Sequence, residues 1–337
     1  MNYIQFRDKY EIITKIGEGG FGVVYKARNV ITNRLVTLKK IKKKIGMSDD
    51  DILQSVINEI ENLKNLKGLP NIIKLNDFQI NEKTNKVFIA YDYCEFDLHD
   101  IIYHGNTLTI QHIKSFTKQM ISALLSVHSK GYIHCDIKPR NFLVTMKNKI
   151  KLIDFGQAIK IDEAKDEIFG TYIYNAPEII FGSNKYGKEL DIWSLGCTLY
   201  EMLTKERLFP LCNTEYEMLK RMKQIYGCIN KNNYQSNDLI LKTNSSLDEF
   251  LERKMPNEFK SMKNLLKQML QLIPENRISL SDAINHPSLL NCESYKNLPF
   301  ISIEITSDDN DHLDKRNRNK DIYENLRPRK IVPKNIL

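Results

Sequence analysis

The run His134-Cys135-Asp136-Ile137-Lys138-Pro139-Arg140-Asn141, followed by Asp154-Phe155-Gly156, decides how the rest of the chain is read. Asp136 is a carboxylate with a lysine two residues on, Lys138, and an amide three beyond that, Asn141, while Asp154 is a second carboxylate just ahead of Phe-Gly. A protein that moves a γ-phosphoryl group does little covalent chemistry of its own. It positions a hydroxyl, holds Mg2+ through hard oxygen ligands and neutralises charge. Each task has a candidate here: Asp136 to take a hydroxyl proton, Lys138 to face the travelling phosphate, and Asn141 with Asp154 to hold metal. Singly, such an aspartate is as readily a turn or cap residue, and His134 a satisfied core histidine. The weight comes from what flanks them.

Upstream, Tyr10–Ile16 alternates as a strand should and runs into Gly17-Glu18-Gly19-Gly20-Phe21-Gly22. Glycines at G-x-G-x-x-G spacing let backbone N–H groups approach phosphate oxygens closely. A dinucleotide-binding fold has the same spacing, but there the last glycine opens a helix, whereas Val23, Val24 and Tyr25 continue here as strand. Leu35–Lys39 is an apolar strand that ends in a lysine, readable by itself as a snorkelling edge residue. Between Asp49 and Lys67, Ile52, Leu53, Val56, Ile57, Ile60, Leu63 and Leu66 recur at helical spacing, with Ser48 or an early aspartate as N-cap, and Glu59 lies on that helix. Lys86–Tyr91 reads as a buried strand, and Ile110–Lys130 as a helix stopped by Gly131.

In this order and at these distances the glycine loop, His134–Asn141, Asp154-Phe155-Gly156 and Ala176-Pro177-Glu178 resemble the catalytic core of the eukaryotic protein kinases. Lys138-Pro139 with Asn141, and Gly170-Thr171 ahead of Ala-Pro-Glu, have the serine/threonine form. Ile57-Asn58-Glu59-Ile60 is similar to the regulatory helix of the cyclin-dependent-kinase-like (CMGC-like) group. The resemblance covers residues 10–290 and implies an α+β, bilobal fold: a small, mainly β N-lobe (about 10–93) with one regulatory helix, a hinge at 94–98 and a larger, mainly α C-lobe at 99–290. It implies ATP and Mg2+ as cofactors and a protein substrate, with a cyclin-like or other protein activator as a candidate partner. It also implies residue roles. Backbone of Gly17, Glu18, Gly19, Gly20, Phe21 and Gly22 would cover the phosphates, Ile16 and Val24 would roof the adenine and Leu143 would lie beneath it. Lys39 would anchor the α- and β-phosphates and pair with Glu59. Tyr91 would be the gatekeeper, Cys94 would offer backbone to the adenine edge and Asp97 would reach the ribose. Leu63, Leu75, Phe155 and His134 would form an apolar column. Asp191 would cap the catalytic-loop backbone, and Arg277 would pair with Glu178 inside the C-lobe.

Four departures from the family pattern matter. Thr37 stands where the family usually has alanine, adding bulk and a hydroxyl at an adenine contact. Cys135 stands where many kinases carry an arginine that receives an activation-segment phosphate, and Gln157–Gly170 contains no serine, threonine or tyrosine. Both halves of a phosphate switch are missing together, which is the pattern of a kinase that works without phosphorylation there; the run Asp162–Glu167 supplies fixed charge instead. Asn175 replaces the arginine of proline-directed relatives. The polar stretch 230–254 sits where cyclin-dependent-like kinases carry an insert.

Composition agrees with a soluble globular protein. The 337 residues are 42% hydrophobic and 27% charged, enough for a sizeable core and about two domains. No run is long and apolar enough to span a bilayer, and residues 1–8 lack the apolar core of a signal peptide, so cytosol or nucleus is expected. Cys94, Cys135, Cys197, Cys212, Cys228 and Cys292 show no Cys-x-x-Cys pairing and read as reduced thiols. The +8 net charge owes much to clusters such as Lys39–Lys44; no stacking aromatics interleave that run, so nucleic acid is not expected. Residues 307–337 are charged, without apolar periodicity, and read as a disordered tail, with Arg327–Lys330 as a candidate nuclear address. Two alternatives stand beside the active enzyme. A pseudokinase scaffold is disfavoured by the presence of Lys39, Asp136 and Asp154, and a small-molecule kinase by Asp191-Ile192-Trp193 and Arg277.

Overall fold

The computed structural model describes residues 6–19, 22–41, 49–81, 86–105, 108–162, 170–183, 186–227, 245–299 and 301. Gly20, Phe21, Ser48, Cys228, residues 163–167 of the acidic run, residues 230–244 of the insert and the 307–337 tail lie outside the described residues. The chain divides into two compact units, one within Met1–Asp49 and Phe78–Ala90, the other within Asp50–Asp77 and Tyr91–Glu304.

The first unit is built on a sheet. Strands β1 (Tyr10–Gly19), β2 (Gly22–Asn29), β3 (Leu35–Lys40), β4 (Leu75–Asn81) and β5 (Lys86–Asp92) are arranged in the order β1-β2-β3-β5-β4. Alternation is visible in β3, where Val36 and Leu38 are buried, Leu35 is exposed and Thr37 and Lys39 are half-buried. Val36 and Leu38 join Tyr10, Ala27 and Ala90 in a core covered by Tyr25 and Phe88. The β2–β3 turn is set by Asn29, whose Oδ1 accepts the N–H groups of Ile31 and Thr32 at 3.0 and 2.9 Å, and by Asn33 at φ 55°.

The second unit is mainly helical. Its longest helix, Ile110–Ser129, starts at Thr109, whose Oγ1 accepts from His112 N–H, and is followed by Gly131 at φ 76°. Helix Glu189–Thr204 is buried from Leu190 to Leu203, which only a helix apolar nearly all round can sustain. Within it Trp193 stacks near Phe209 and Tyr226, with ring centroids 6.0 and 6.3 Å away. Helix Asp49–Asn65 groups with this unit, burying Val56, Ile60, Leu63 and Leu66.

Two features go beyond the sequence expectation. The end of the supposed insert is a helix, Ser245–Lys254, because Leu247, Phe250 and Leu251 lie on one face and are buried; Phe250 stacks on Tyr200 at 6.1 Å. Packing also continues past Leu290: Leu298 and Ile301 are buried, Asn148 Nδ2 donates to the carbonyls of Leu298 and Pro299 at 3.0 and 3.1 Å, and His112 Nε2 meets Pro299 O at 2.9 Å.

The deepest ion pair joins Arg277 to Glu178. Both guanidinium nitrogens donate to the carboxylate at 2.7 Å, and the remaining donors reach the carbonyls of Gln271, Glu189 and Leu272. The guanidinium also lies 5.2 Å from the Trp193 ring. Removing one partner strands the other charge in the core. Arg277→Met is therefore expected to lower unfolding free energy by roughly 3–5 kcal/mol in chemical denaturation, and Glu178→Leu combined with it to recover much of the loss. Equal losses in the single and double variants would contradict that account.

Candidate active site

The catalytic-loop geometry starts from a buried carboxylate behind it. Asp191, in the first turn of helix Glu189–Thr204, accepts the backbone N–H groups of His134 and Cys135 at 2.9 and 3.0 Å and bonds His128 Nε2 at 2.7 Å. Burial alone would raise its pKa, but the bond and charge of His128, with His134, outweigh that and hold the carboxyl below the usual range. With both N–H groups taken, the chain turns at Cys135 through φ 66°. The His134 ring is fully buried, its Nε2 bonds the Ile153 carbonyl at 2.9 Å, and its Nδ1 accepts Asp136 N–H at 3.3 Å.

Asp136 is thereby placed among donors. Its Oδ1 accepts Thr171 N–H at 3.0 Å and Thr171 Oγ1 at 2.7 Å; its Oδ2 lies 2.9 Å from Lys138 Nζ and 3.0 Å from Asn141 Nδ2. Lys138 Nζ also donates to Thr171 Oγ1 at 2.7 Å, closing a ring of three side chains. Burial pushes the Asp136 pKa up, but the Lys138 charge, the bonds from Lys138 and Thr171 and the nearby His134 together bring it below the ordinary carboxylate value. The group is ionised at neutral pH, as a proton acceptor must be. Because the folded pKa is depressed, the stability it contributes is present above about pH 4 and lost as pH falls through the folded value.

Thr171 reaches Asp136 because the chain before it comes close. A Cβ on Gly170 would lie 2.7 Å from Cys135 O and 2.4 Å from Asn175 Oδ1, so only glycine fits. Beyond it, Tyr174 OH donates to the buried Glu201 at 2.6 Å, and Ser194 Oγ donates to Tyr174 O at 2.8 Å.

The metal candidates are held by backbone. Ile153 N–H donates to Asn141 O at 2.9 Å, and Asp154 follows in a left-handed conformation at φ 63°, ψ 70°. Phe155 is fully buried with its ring edge-on to His134 at 4.9 Å. Asn141 Nδ2 donates to Asp136 O at 2.7 Å as well as to Asp136 Oδ2, which turns the amide oxygen away as the atom able to serve a cation. An amide oxygen and a carboxylate are the hard donors that Mg2+ takes.

The other expected residues fall into two groups. In the sheet, Gly17 pairs with Val24, Glu18 with Val23 and Gly19 with Gly22 across the β1–β2 hairpin, and Val24 pairs with Lys39 across β2–β3. The sheet thus lays Gly17, Val24 and Lys39 in one cross-strand row, beside a 38%-exposed Ile16. Gly22 is obligatory: at φ 141° a Cβ would sit 2.1 Å from Lys40 O. In the second unit, Cys94 is buried, and burial raises its thiol to about 12, which keeps it protonated at neutral pH. Asp97 pairs with Leu143 across strands Phe96–Asp97 and Phe142–Val144. Its Oδ1 accepts Asp100 N–H at 2.7 Å as the N-cap of helix Leu98–His104, and its Oδ2 accepts Arg140 NH1 at 3.3 Å, so both oxygens serve the chain itself. Glu59, 5% exposed, accepts Tyr91 OH at 2.5 Å, a bond that apolar periodicity gave no means of finding.

The protein kinase domain family matches residues 10–289. The serine/threonine-protein kinase ppk23 of Schizosaccharomyces pombe is 31% identical over 290 residues, 83% of this chain and 72% of that protein. Among solved structures, a chain of the CAK complex from Chaetomium thermophilum bound to ATP-γ-S is similar with a TM-score of 0.72 and 26% identity, covering 87% of this chain and 96% of that one.

Thr171→Val keeps the side-chain shape and the backbone N–H but removes the hydroxyl shared by Asp136 and Lys138. Loss of such charge-assisted bonds is expected to reduce kcat about 10- to 100-fold. With fewer donors on its carboxylate, Asp136 should titrate higher, so the acid limb of the pH–rate profile should move to higher pH. An unshifted limb at full activity would contradict the role given to this hydroxyl.

Proposed function

The chain belongs to the protein kinase domain family and is a protein serine/threonine kinase, and we propose that it transfers the γ-phosphoryl group of Mg-ATP to protein serine or threonine hydroxyls without phosphorylation of its own activation segment. The observation that carries this is the ionised Asp136 carboxylate ringed by Lys138, Asn141 and Thr171. Asp136 would orient the substrate hydroxyl and take its proton as the phosphorus–oxygen bond forms. Lys138, already bonded to Thr171 Oγ1, would balance negative charge on the transferred group. Asn141 Oδ1 and the Asp154 carboxylate would hold Mg2+, which supplies charge neutralisation at the phosphates when bound. The backbone of residues 17–22 and the Lys39 side chain would hold the phosphates.

Independence from activation-segment phosphorylation is supported from both directions. Residues 157–170 offer no hydroxyl acceptor, and the usual arginine receptor is replaced by Cys135, which is buried and turned at φ 66°. The start of the segment is held by Asn62, whose Nδ2 donates to the carbonyls of Phe155 and Ala158 at 3.0 and 3.3 Å. Its end is held by Thr171, Tyr174 and Glu178. Phosphate on Thr171 would break the ring around Asp136.

Asp136→Asn is expected to leave nucleotide binding nearly unchanged while lowering turnover by at least ~10²-fold in ATP-dependent labelling of a peptide library, because a proton acceptor is lost and no metal ligand is. Equal labelling by wild type and variant would favour a binding scaffold. Protein made in bacteria, treated with a broad phosphatase and verified by mass should retain its activity. Activity that vanishes and returns only after an upstream kinase acts would overturn the phosphorylation-independent reading, and activity seen only with an added protein would assign the ordering to a partner.

A further inference from the structure

We infer that Tyr91 is a positioning residue: its hydroxyl, together with the amide of Asn62, joins the Glu59 carboxylate and the Asp154-Phe155-Gly156 turn into one hydrogen-bonded unit that sets Glu59 for the reaction. The inference rests on the kinase reading above and adds to it a role for a side chain expected only to line the nucleotide site.

Helix Asp49–Asn65 carries three polar side chains at successive steps of three, Glu59, Asn62 and Asn65. Each is bonded to a different part of the second unit. Glu59 Oε1 accepts from Tyr91 OH at the end of β5. Asn62 Nδ2 donates to Phe155 O and Ala158 O. Asn65 Nδ2 donates to Tyr132 OH at 2.9 Å. Neighbouring Val56, Ile60 and Leu63 are buried, so the helix is fixed laterally by apolar packing and in rotation by these polar bonds. A buried carboxylate without donors is costly, and the Tyr91 hydroxyl supplies one.

Tyr91 is suited to that bond. It is 8% exposed, and burial, reinforced by the charge and bond of Glu59 and by the charge of Asp154, drives its hydroxyl well above its ordinary pKa. The phenol remains a neutral donor across any working pH. Phenylalanine would fill the same volume and preserve the apolar wall, so the hydroxyl accounts for the whole difference between the two residues. Asn62 extends the tie to the carbonyl of Phe155, next in the chain to the metal candidate Asp154. One hydroxyl and one amide therefore couple the orientation of Glu59 to that of the Asp154 turn.

The test uses the full chain and four variants: Tyr91→Phe, Asn62→Leu, Glu59→Gln and the Tyr91→Phe/Glu59→Gln double. With Mg-ATP and a degenerate serine/threonine peptide library, Tyr91→Phe is expected to lower kcat about 10- to 100-fold, the loss associated with one bond to a charged group. The double variant should fall within about threefold of Glu59→Gln alone, since residues acting as one unit are not additive. Amide hydrogen exchange over residues 52–65 should quicken in both Tyr91→Phe and Asn62→Leu. A wild-type rate in Tyr91→Phe, fully multiplicative losses in the double variant, or unchanged exchange in both variants would each overturn the inference. A wild-type chain that labels no peptide, alone or with an added protein, would defeat the kinase reading instead, and exchange would still decide whether Tyr91 and Asn62 hold the helix.

Discussion

The catalytic loop depends on one buried carboxylate that never touches a substrate. Asp191 satisfies two consecutive backbone N–H groups and an imidazole from inside the second unit. Two adjacent donors cannot be left without partners in a buried place, so the loop has its present course only while Asp191 is there. The left-handed Cys135, the bond from Asp136 N–H to His134 and the close passage of Gly170 over Cys135 O all follow from that course. An active-site side chain needs its supporting shell fixed before its own chemistry has meaning.

The segment between Asp154 and Glu178 is anchored at both of its ends. Its first turn is bonded to Asn62, and its last residues are bonded in succession to Asp136, Glu201 and Arg277. These are buried, geometrically specific bonds, unlike exposed charge pairs, which contribute about 0–1 kcal/mol. Thr171 lies between these anchors, where its hydroxyl meets both Asp136 and Lys138.

Much of this was legible in the sequence because phosphoryl transfer fixes residue type and spacing together. Asp136, Lys138 and Asn141 come from one tight loop, and a loop that short leaves few geometries, so spacing nearly determines contact. The row of Gly17, Val24 and Lys39 was legible for a related reason: strands of period 2 joined by hairpins put their register on view. What escaped was set by long-range packing. The Tyr91–Glu59 bond joins residues 32 apart on different elements, and no local pattern marks a tyrosine hydroxyl as a donor to a particular carboxylate. Helix Ser245–Lys254 was hidden inside a polar stretch because three apolar residues on one face, Leu247, Phe250 and Leu251, suffice to dock it. Asp97 adds a contact of another kind: its carboxylate caps helix Leu98–His104 through Asp100 N–H and accepts from Arg140, bonds that family position does not mark.

The distance along the chain between His134 and Asp191, 57 residues, bears on how the protein is made. Synthesis runs from the amino terminus, and domains gather as their parts emerge from the ribosome. A nascent chain that has emerged as far as Thr171 already contains every side chain of the ring around Asp136, yet its catalytic loop still lacks the carboxylate that shapes it. Glu178 waits longer, since Arg277 is 99 residues further on. Both closures bring distant segments together at an entropic cost that grows slowly with loop length, so they can be late without being weak. The order of translation alone thus keeps a chain that has not reached Asp191 from holding a shaped catalytic loop, and one that has not reached Arg277 from pairing Glu178.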